Sequence, residues 1–513
     1  MDIKGSLLNC LDIFICVFMF LCMKNKGLII TVTVITFFMA IDVSAQDGND
    51  AIDTLAVDSV GVTNKDFLPT ATSIVGLNMG VWAFDRYVQK GDFAYISLNS
   101  VAENFKKGFI WDNDRMDTNM LLHPYHGNLF FNAARAKGYN YWQSGLFAIG
   151  GSAMWELLME SEYPSTNDII ATPIGGMALG EVLYRSSDLI LDDSSSGWQR
   201  FGREFAAFLV SPMRGITRVV NGNAWKRRAT SGRQYRVPNL DVECLVGGRV
   251  MRLNDEIKSQ SGGLVAEANV EYGDKYDNES GNPYDFFTLR LGLNIQKSQP
   301  FLGQVNIKGR LLGKSVIDKP EAQVNLGLYQ YFDYYDSDTI STLSSKMPYR
   351  FSTPASVGCG LMFRRQNVGK WNFEGHVDAA IILLGGVLSD YYNLDERNYN
   401  MASGFSTKAG VKVGYGNEDF RLSLEQEFYR FYSWEGYDLN IDWNVVNPKI
   451  LNVQGDNSDA FINVFEARAD LRLCKQLYIT GAFRCFFRKT DYEYYDDVSS
   501  FTTDCRLMLF YVL

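Results

Sequence analysis

Two of the three histidines in this 513-residue chain stand in one pentapeptide, His123-Pro124-Tyr125-His126-Gly127. Histidine exchanges protons near neutral pH and is a common metal ligand, so the pair could act as a base or hold a metal. Carboxylates in the following elements could complete such a site. They are Glu156 and Glu160, one helical turn apart on one face, and Asp168 and Glu181 in the next element.

The same residues also have a purely structural explanation. His-x-x-His without a flanking motif is not a metal signature, and Pro124 favours an extended or turning start over a regular helix. In that case the imidazoles and carboxylates hydrogen-bond buried helix ends to one another. An enzyme requires His123, His126 and a carboxylate to converge beside an open cavity, whereas a structural role requires them to be buried and mutually satisfied.

Other reaction classes receive no support. The sequence contains no Walker A motif, Rossmann glycine fingerprint or Gly-x-Ser-x-Gly elbow, which leaves nucleotide and serine-hydrolase chemistry without a basis. No cofactor is indicated, and the identity of any metal stays open.

Composition narrows the class of protein. The 59 acidic residues exceed the 49 basic ones, and the net charge of −10 argues against a nucleic-acid partner. Hydrophobic residues make up 46% and aromatic residues 14%, which is typical of a folded chain. The mean hydropathy of −0.12 is too polar for a bundle of membrane helices. A transmembrane β-barrel reconciles these values, because its apolar residues occupy every second position.

The N-terminal region has the features of a secretory signal. Met23-Lys24-Asn25-Lys26 precedes the apolar stretch 27–40, and Val43-Ser44-Ala45 follows it. We expect translation to start at Met23 and cleavage to follow Ala45, so that 1–45 is a signal region. The alternative is an uncleaved anchor at 6–22, which is short for a bilayer span. Residues 46–66 form an acidic linker.

Apolar clusters with helical spacing predict a helical domain at 67–222. They occupy Thr70–Val88, Tyr141–Glu160, Asn167–Leu191 and Trp198–Val220. Gly176 and Gly180 permit close approach of helices. A basic linker, 223–240, continues a run of arginines and lysines that begins at Arg200, which fits contact with anionic headgroups or with acidic residues of the barrel rim.

From 241 to 513 the pattern changes to period two and predicts about twelve strands of a transmembrane barrel. Long links such as 386–401 and 434–460 alternate with short ones such as 366–370, as extracellular loops alternate with periplasmic turns. Leu507, Leu509 and Tyr511 resemble a terminal strand signal read by the barrel assembly machinery. The fold class is α+β, a helical domain followed by an antiparallel barrel; a soluble β-sandwich is the runner-up.

The polar faces of these strands carry both signs of charge. Arg290, Lys308 and Arg468, for example, are accompanied by Glu267, Asp378 and Glu466. Interleaved charges favour a cross-linked or plugged lumen over an ion-selective pore, and a solvated inner wall is the simpler alternative.

Several motifs together resemble an uncharacterised family of outer-membrane proteins that carries a domain of unknown function ahead of a barrel. They are His123-Pro-Tyr-His-Gly127, Phe131-Asn-Ala-Ala-Arg135, Gly138 with Trp142 and Ser144, Trp155-Glu156, Pro164-Ser165 with Asn167-Asp168, Gly175-Gly176, and Gly180-Glu181 with Tyr184-Arg185. The resemblance covers about residues 70–220 and implies an exported, barrel-linked protein. It supplies no reaction and no catalytic roles.

These observations predict an outer-membrane protein whose helical domain lies in the periplasm or inside the barrel. The expected role is non-enzymatic, with the domain plugging the lumen or docking a periplasmic protein. The alternative is a membrane-embedded enzyme that acts on a lipid or an envelope glycan through His123, His126 and the acids. Expected partners are outer-membrane lipid, the barrel assembly machinery and a periplasmic protein, without nucleic acid.

Overall fold

The computed structural model describes residues 65–235, 238–253, 260–278, 280–296, 298–340, 346–394, 397–416, 418–443, 445–447 and 450–512. The predicted signal region and nearly all of the acidic linker lie outside these residues. The described chain divides into two compact units, one formed by Lys65–Val182 with Pro238–Leu513 and the other by Leu183–Val237.

Twelve antiparallel strands form a closed barrel in which β1 pairs with β12, so the predicted barrel and strand number are confirmed. The strands are β1 Leu240–Leu253, β2 Gln260–Tyr272, β3 Phe287–Ile295, β4 Leu302–Lys319, β5 Ala322–Asp336, β6 Arg350–Val368, β7 Trp371–Leu388, β8 Tyr399–Tyr415, β9 Phe420–Ser433, β10 Ser458–Arg472, β11 Leu477–Tyr492 and β12 Val498–Val512. The long links 337–349, 389–398 and 434–457 share one end of the barrel, here called the loop end.

Ion pairs between strands that are not neighbours identify the lumen face. Lys308 Nζ on β4 lies 2.7 Å from Asp378 Oδ1 on β7, and Lys408 Nζ on β8 lies 2.7 Å from Asp333 Oδ2 on β5. Only the interior of a barrel lets such strands meet. Because side chains alternate along a strand, the residues between these face outward.

Many outward positions are large, apolar and exposed. Val250, Leu264, Val377, Leu471, Leu507 and Leu509 are examples. An apolar outer wall closed by strand pairing leaves no unpaired edge, which is the solution that β-structure adopts in a lipid bilayer.

The lumen is filled by the barrel's own side chains. Toward the loop end, Tyr349 stacks on Phe486 with ring centroids 3.7 Å apart, within a buried cluster that also contains Tyr335, Phe351 and Tyr429. Toward the end where β1 begins, charged residues surround a cavity of about 360 Å³. Both signs are present in this cavity, in agreement with the predicted cross-linked lumen.

Five helices belong wholly or in part to the first unit. They are α1 Phe67–Phe84, α2 Leu98–Lys107, α3 His123–Arg135, α4 Tyr141–Met154 and α5 Asp168–Ile190, the last of which extends into the second unit. Wider π-helical turns continue α1 over Asp85–Gln89, precede α3 over Thr118–Leu122 and continue α4 over Trp155–Met159.

The expectation that Pro124 opposes a regular helix is wrong. Pro124 lies in the first turn of α3. Proline has no backbone N–H, and an N–H in the first turn would have no partner within the helix in any case. The wider turn over Thr118–Leu122 leads directly into it.

Glycines let α3 and α5 cross at close range. A Cβ on Gly176 would stand 2.5 Å from the carbonyl carbon of Gly127, and one on Gly180 would stand 2.6 Å from the Phe131 ring. The expected close approach at Gly176 and Gly180 is therefore present, and it needs a third glycine, Gly127, on the partner helix.

Residues 65–182, here called the wall-docked segment, contact the outer face of the barrel. Tyr331 and Asp333 of β5 face the lumen, so Gln330, which alternates with them along the strand, faces outward. Its Nε2 donates to the carbonyl of Ile174 at 2.8 Å. Ala171 of α5 packs with Ala355 and Leu384 of β6 and β7. The described contacts therefore put this segment against the outside of the wall and not in the lumen.

The second unit contains the end of α5, α6 Gly197–Val210 and α7 Pro212–Val220. One helical stretch was expected over Trp198–Val220, but Ser211 leaves helical geometry and Pro212 starts α7. Asp193 binds Arg218 Nη2 at 2.6 Å and Arg200 Nη2 at 2.9 Å, so part of the basic run is neutralised within the unit.

Candidate functional site: an acid–histidine cluster

His123 meets two carboxylates at the start of α3. Its Nε2 lies 3.6 Å from Asp168 Oδ2, at the start of α5, and 4.0 Å from Asp114 Oδ2, in the preceding loop. Asp168 is buried, His123 is 17% exposed and Asp114 is 53% exposed. The cluster therefore runs from a buried acid to a solvent-accessible one through an imidazole.

Asp112 is the central acid, and the sequence reasoning missed it. Its Oδ1 accepts from Asn119 Nδ2 at 2.6 Å and its Oδ2 accepts from Asn167 Nδ2 at 3.0 Å. Its side chain also hydrogen-bonds Asp168, which requires a shared proton between the two carboxyl groups. The sequence feature that could have identified Asp112 is its position two residues before Asp114 in one loop. A search for helical periodicity does not detect such a loop.

Hydrogen bonding decides the electrostatics of this cluster, which lies beside links at the loop end and outside the strands. Burial by itself would raise the pKa of Asp112, but hydrogen bonds from Asp168, Asn167 and Asn119 hold that pKa below its usual range. Burial by itself would lower the pKa of His123, but the nearby carboxylates of Asp114 and Glu156 raise it. The arrangement can exchange protons among His123 and its acids.

Glu156 and Glu160 join the same region. Glu156 is buried and its Oε2 accepts from the backbone N–H of Ser165 at 2.8 Å. Its side chain also hydrogen-bonds that of Glu160. The one-turn spacing of the two residues thus forms a carboxyl pair near His123.

Two of the six sequence-predicted residues do not join the cluster. His126 packs between the rings of Phe130 and Trp155, with centroids 4.5 Å and 5.0 Å away, and its buried Nε2 has no hydrogen-bond partner. Glu181 is fully buried and forms a two-pronged pair with Arg135, at 2.7 Å from Nε and 2.9 Å from Nη2. The structure therefore brings together His123, Glu156, Glu160 and Asp168.

The cluster does not have the geometry of a metal centre. Among the described residues, no group of three or more His, Cys, Asp and Glu side chains is arranged to hold a metal ion. The lumen cavity and the cavity of the second unit are lined by none of the six predicted residues. An enzyme requires His123, His126 and a carboxylate to lie close together. His123 and the acids do so, but His126 does not.

Barrel loops hold the cluster in place. Arg397 Nη1, in the β7–β8 link, donates to the carbonyl of Asp112 at 2.7 Å. Trp111 Nε1 donates to Glu435 Oε2 at 2.8 Å, in the β9–β10 link. Tyr392 donates to Asn113 Oδ1 at 2.8 Å. The loop that carries Asp112 and Asp114 is thus fixed to two links of the barrel.

Comparison with known proteins agrees with this architecture. Residues 108–213 match the family model described as a domain of unknown function, DUF3943. No protein of curated function matches the chain. The resemblance inferred from the motifs is confirmed for this region.

Three solved structures of outer-membrane proteins are similar to part of this chain. An outer-membrane channel from Pseudomonas putida F1 is 10% identical over 54% of this chain and 97% of its own, with a TM-score of 0.27. The Pseudomonas putida toluene transporter TodX is 8% identical over 54% and 90%, with a TM-score of 0.21. OmpT of Vibrio cholerae is 8% identical over 54% and 98%, with a TM-score of 0.24.

These likenesses carry no argument at such TM-scores, and strand pairing establishes the barrel by itself. A closed antiparallel barrel with an apolar outer wall belongs in an outer membrane. The chain is an outer-membrane β-barrel protein that carries a domain of unknown function ahead of its barrel.

Proposed function

We propose that the barrel is a closed scaffold that holds the wall-docked segment against its outer face, with α1 and α4 in contact with lipid, and that it does not conduct solutes. The observation that carries this proposal is the bond from Gln330, on the outward face of β5, to the backbone of α5. This bond argues against the prediction that the helical domain plugs the lumen. It supports a role for the outer face of the barrel wall as a docking surface.

The filled lumen supports the absence of conduction. Stacked aromatic rings occupy the half toward the loop end, and charge pairs cross the other half. Arg290 on β3 lies 2.8 Å from Glu466 on β10, and Arg484 on β11 also pairs with Glu466. A conducting pore would need a continuous aqueous path between such groups.

The free side of the wall-docked segment is suited to lipid. Among the described residues, one helical stretch is long and apolar enough to cross a membrane, Phe67–Gln89, by length and composition alone. Exposed apolar residues on α1 and α4 are Phe67, Leu68, Val75, Met79, Phe84, Trp142, Leu146 and Ile149. Phe67 also packs on Phe147 of α4, at 5.7 Å between centroids. Lipid contact would remove these side chains from water.

Two partners remain predictions. The barrel assembly machinery would recognise β12, whose outward Leu507 and Leu509 are 63% and 53% exposed. A periplasmic protein partner would have to bind outside the contacts described above.

The first test is single-channel conductance of the refolded chain in planar bilayers. We expect no conductance from the wild-type protein. We expect conductance after Tyr349→Ala and Phe486→Ala together, because these stacked rings close the lumen. Steady conductance by the wild-type protein would refute a closed scaffold.

The second test locates the free side of the wall-docked segment. A nitroxide at Leu146→Cys, in a protein of residues 46–513 whose Cys244, Cys359, Cys474, Cys485 and Cys505 are serine, should be relaxed by oxygen more than by a water-soluble nickel complex. The same label at Lys106→Cys, on exposed α2, should respond mainly to nickel. Equal nickel accessibility at both sites would refute burial in lipid.

The acid–histidine cluster favours a second candidate function, an enzyme that acts on a lipid or an envelope glycan. His123 would serve as the base, and Asp168 and Asp114 would orient it. Envelope lipid and glycan extracts should then yield a product that His123→Gln and Asp168→Asn variants fail to form, with heat-modifiable barrel mobility unchanged. An unaltered extract, or a product that persists in both variants, would exclude this function.

A further inference from the structure

The second unit presents an aromatic surface on one helix. Along α6, the side chains of Trp198, Phe201, Phe205 and Phe208 are 85%, 55%, 52% and 36% exposed. Phe201 and Phe205 lie nearly parallel, with centroids 6.1 Å apart, and Trp198 meets Phe201 edge-on at 5.7 Å. An exposed aromatic row of this size is unusual on a surface that faces water alone.

This row borders a groove between α6 and α7. The groove has a volume of about 420 Å³, and Phe201, Phe205, Phe208, Val219 and Trp225 form its apolar lining. Gly215 allows the close approach of the helices that shapes it, because a Cβ there would stand 2.7 Å from Phe208. The volume suits an acyl chain better than a large polar ligand.

Cations stand at the rim of the groove. Residues 183–235 carry nine Arg and Lys against four Asp and Glu, although the whole chain is acidic. Arg200 and Arg218 are engaged by Asp193 and Glu204. Lys226 and Arg227 also line the groove, are exposed, and form no ion pair among the described residues.

We propose that this groove binds an anionic phospholipid, with an acyl chain against the aromatic row and the phosphate at Lys226 and Arg227. Aromatic side chains beside lysine and arginine are the combination that anchors proteins at the interface of an anionic bilayer. A zwitterionic lipid would gain the apolar contact without the charge complementarity. The inference needs only a membrane protein and does not depend on the wall-docked arrangement proposed above.

Trp225 provides the measurement. The full chain is reconstituted in vesicles of phosphatidylcholine and phosphatidylglycerol, with brominated acyl chains on one of the two lipids at equal mole fraction. The chain has nine tryptophans, so the signal of Trp225 is taken as the difference between the wild-type protein and Trp225→Phe. We expect brominated phosphatidylglycerol to quench this signal more strongly than brominated phosphatidylcholine.

Variants separate the charge from the groove. Lys226→Gln should lower the preference for phosphatidylglycerol about fivefold, since a basic residue near an anionic surface contributes about 1 kcal/mol. Lys314→Gln, the same change at an exposed position on β4, should leave the preference intact. Phe205→Glu should reduce quenching by both lipids, because it puts a charge in the apolar lining.

Three outcomes would overturn the proposal. Equal quenching by both lipids in the wild-type protein would mean that the groove does not select anionic headgroups. An unchanged preference in Lys226→Gln would remove the role of the rim. The absence of quenching by either lipid would point instead to a protein occupant, such as a second copy of this chain.

Discussion

The hydroxyl of Tyr141 donates to the side-chain oxygen of Gln330, which joins the first turn of α4 to the outward face of β5. Tyr284 donates to the same oxygen at 2.9 Å and stacks on Tyr141 with centroids 5.5 Å apart. Both Tyr141 and Gln330 are buried. The amide of Gln330 is therefore satisfied by groups outside the barrel sheet.

Replacing Gln330 should loosen the wall-docked segment without opening the barrel. In Gln330→Leu, the hydroxyls of Tyr141 and Tyr284 and the carbonyl of Ile174 lose a partner, at a cost of about 1–3 kcal/mol per buried polar group. Limited proteolysis should cut 65–182 faster, with unchanged heat-modifiable mobility of the barrel. Gln366→Leu, near the β6–β7 turn, is the control; equal proteolysis of both variants would contradict the docking role.

The α3–α5 crossing should not tolerate a methyl group. Gly176→Ala would bring a Cβ to 2.5 Å from backbone carbon of Gly127, so we expect a loss of about 1–3 kcal/mol in the unfolding free energy of the helical segment. Gly150→Ala, in α4, meets nothing within 4 Å and should be neutral or stabilising by up to about 1 kcal/mol. Thermal unfolding followed by circular dichroism distinguishes the two; similar transitions would rule out the tight crossing.

Breaking the buried pair of Arg135 and Glu181 should be costly. Glu181→Gln leaves the Arg135 guanidinium buried without its full countercharge, and such losses reach about 3–5 kcal/mol. The double variant Arg135→Met, Glu181→Leu should be less destabilised than Glu181→Gln, because no isolated charge remains. A double variant that is the less stable of the two would contradict this account.

The stability of the helical segment should fall as pH rises. The pKa of His123 is raised in the folded chain, so its ionic contacts contribute fully below the unfolded value, about 6.5, and are lost as pH rises through the folded value. Asp114, Asp168 and Glu156 are the acids that face it. Asp112 has a lowered pKa, so its contribution is lost only in acid, below about pH 4.

Thermal stability of the helical segment should therefore fall as pH rises above about 6.5, and His123→Gln should flatten this fall. The comparison reports on His123 together with the acids whose pKa depends on its charge, which are Asp112, Asp114 and Glu156. Parallel profiles would show that His123 does not gain a partner on folding.

The strands were predictable because apolar and polar residues alternate along them. In β10, for instance, Phe465, Ala467 and Ala469 alternate with Glu466, Arg468 and Asp470. Helices α4 and α5 were predictable from apolar periodicity. Helix α3 was missed because buried Asn128, Asn132 and Arg135 make its inner face polar, and Pro124 was read as a helix breaker.

The candidate site was only partly predictable for a similar reason. His123 and Asp168 are forty-five positions apart in sequence, and Asp112 lies in a loop without periodicity, so only the crossing of α3 and α5 brings them together. Strand periodicity also does not show on which side of the barrel wall the helices pack. It separates the two faces of a strand, but it does not tell whether Gln330 lies on the outer face or on the lumen face.

The attachment of Asp112 to Arg397 has a consequence for sequence variation among homologues. Loops of outer-membrane barrels ordinarily accept insertions and deletions, because little is packed on them. Here the β7–β8 and β9–β10 links carry Arg397 and Glu435, which bind residues 111 and 112. These two links should change length only together with the loop that carries Trp111.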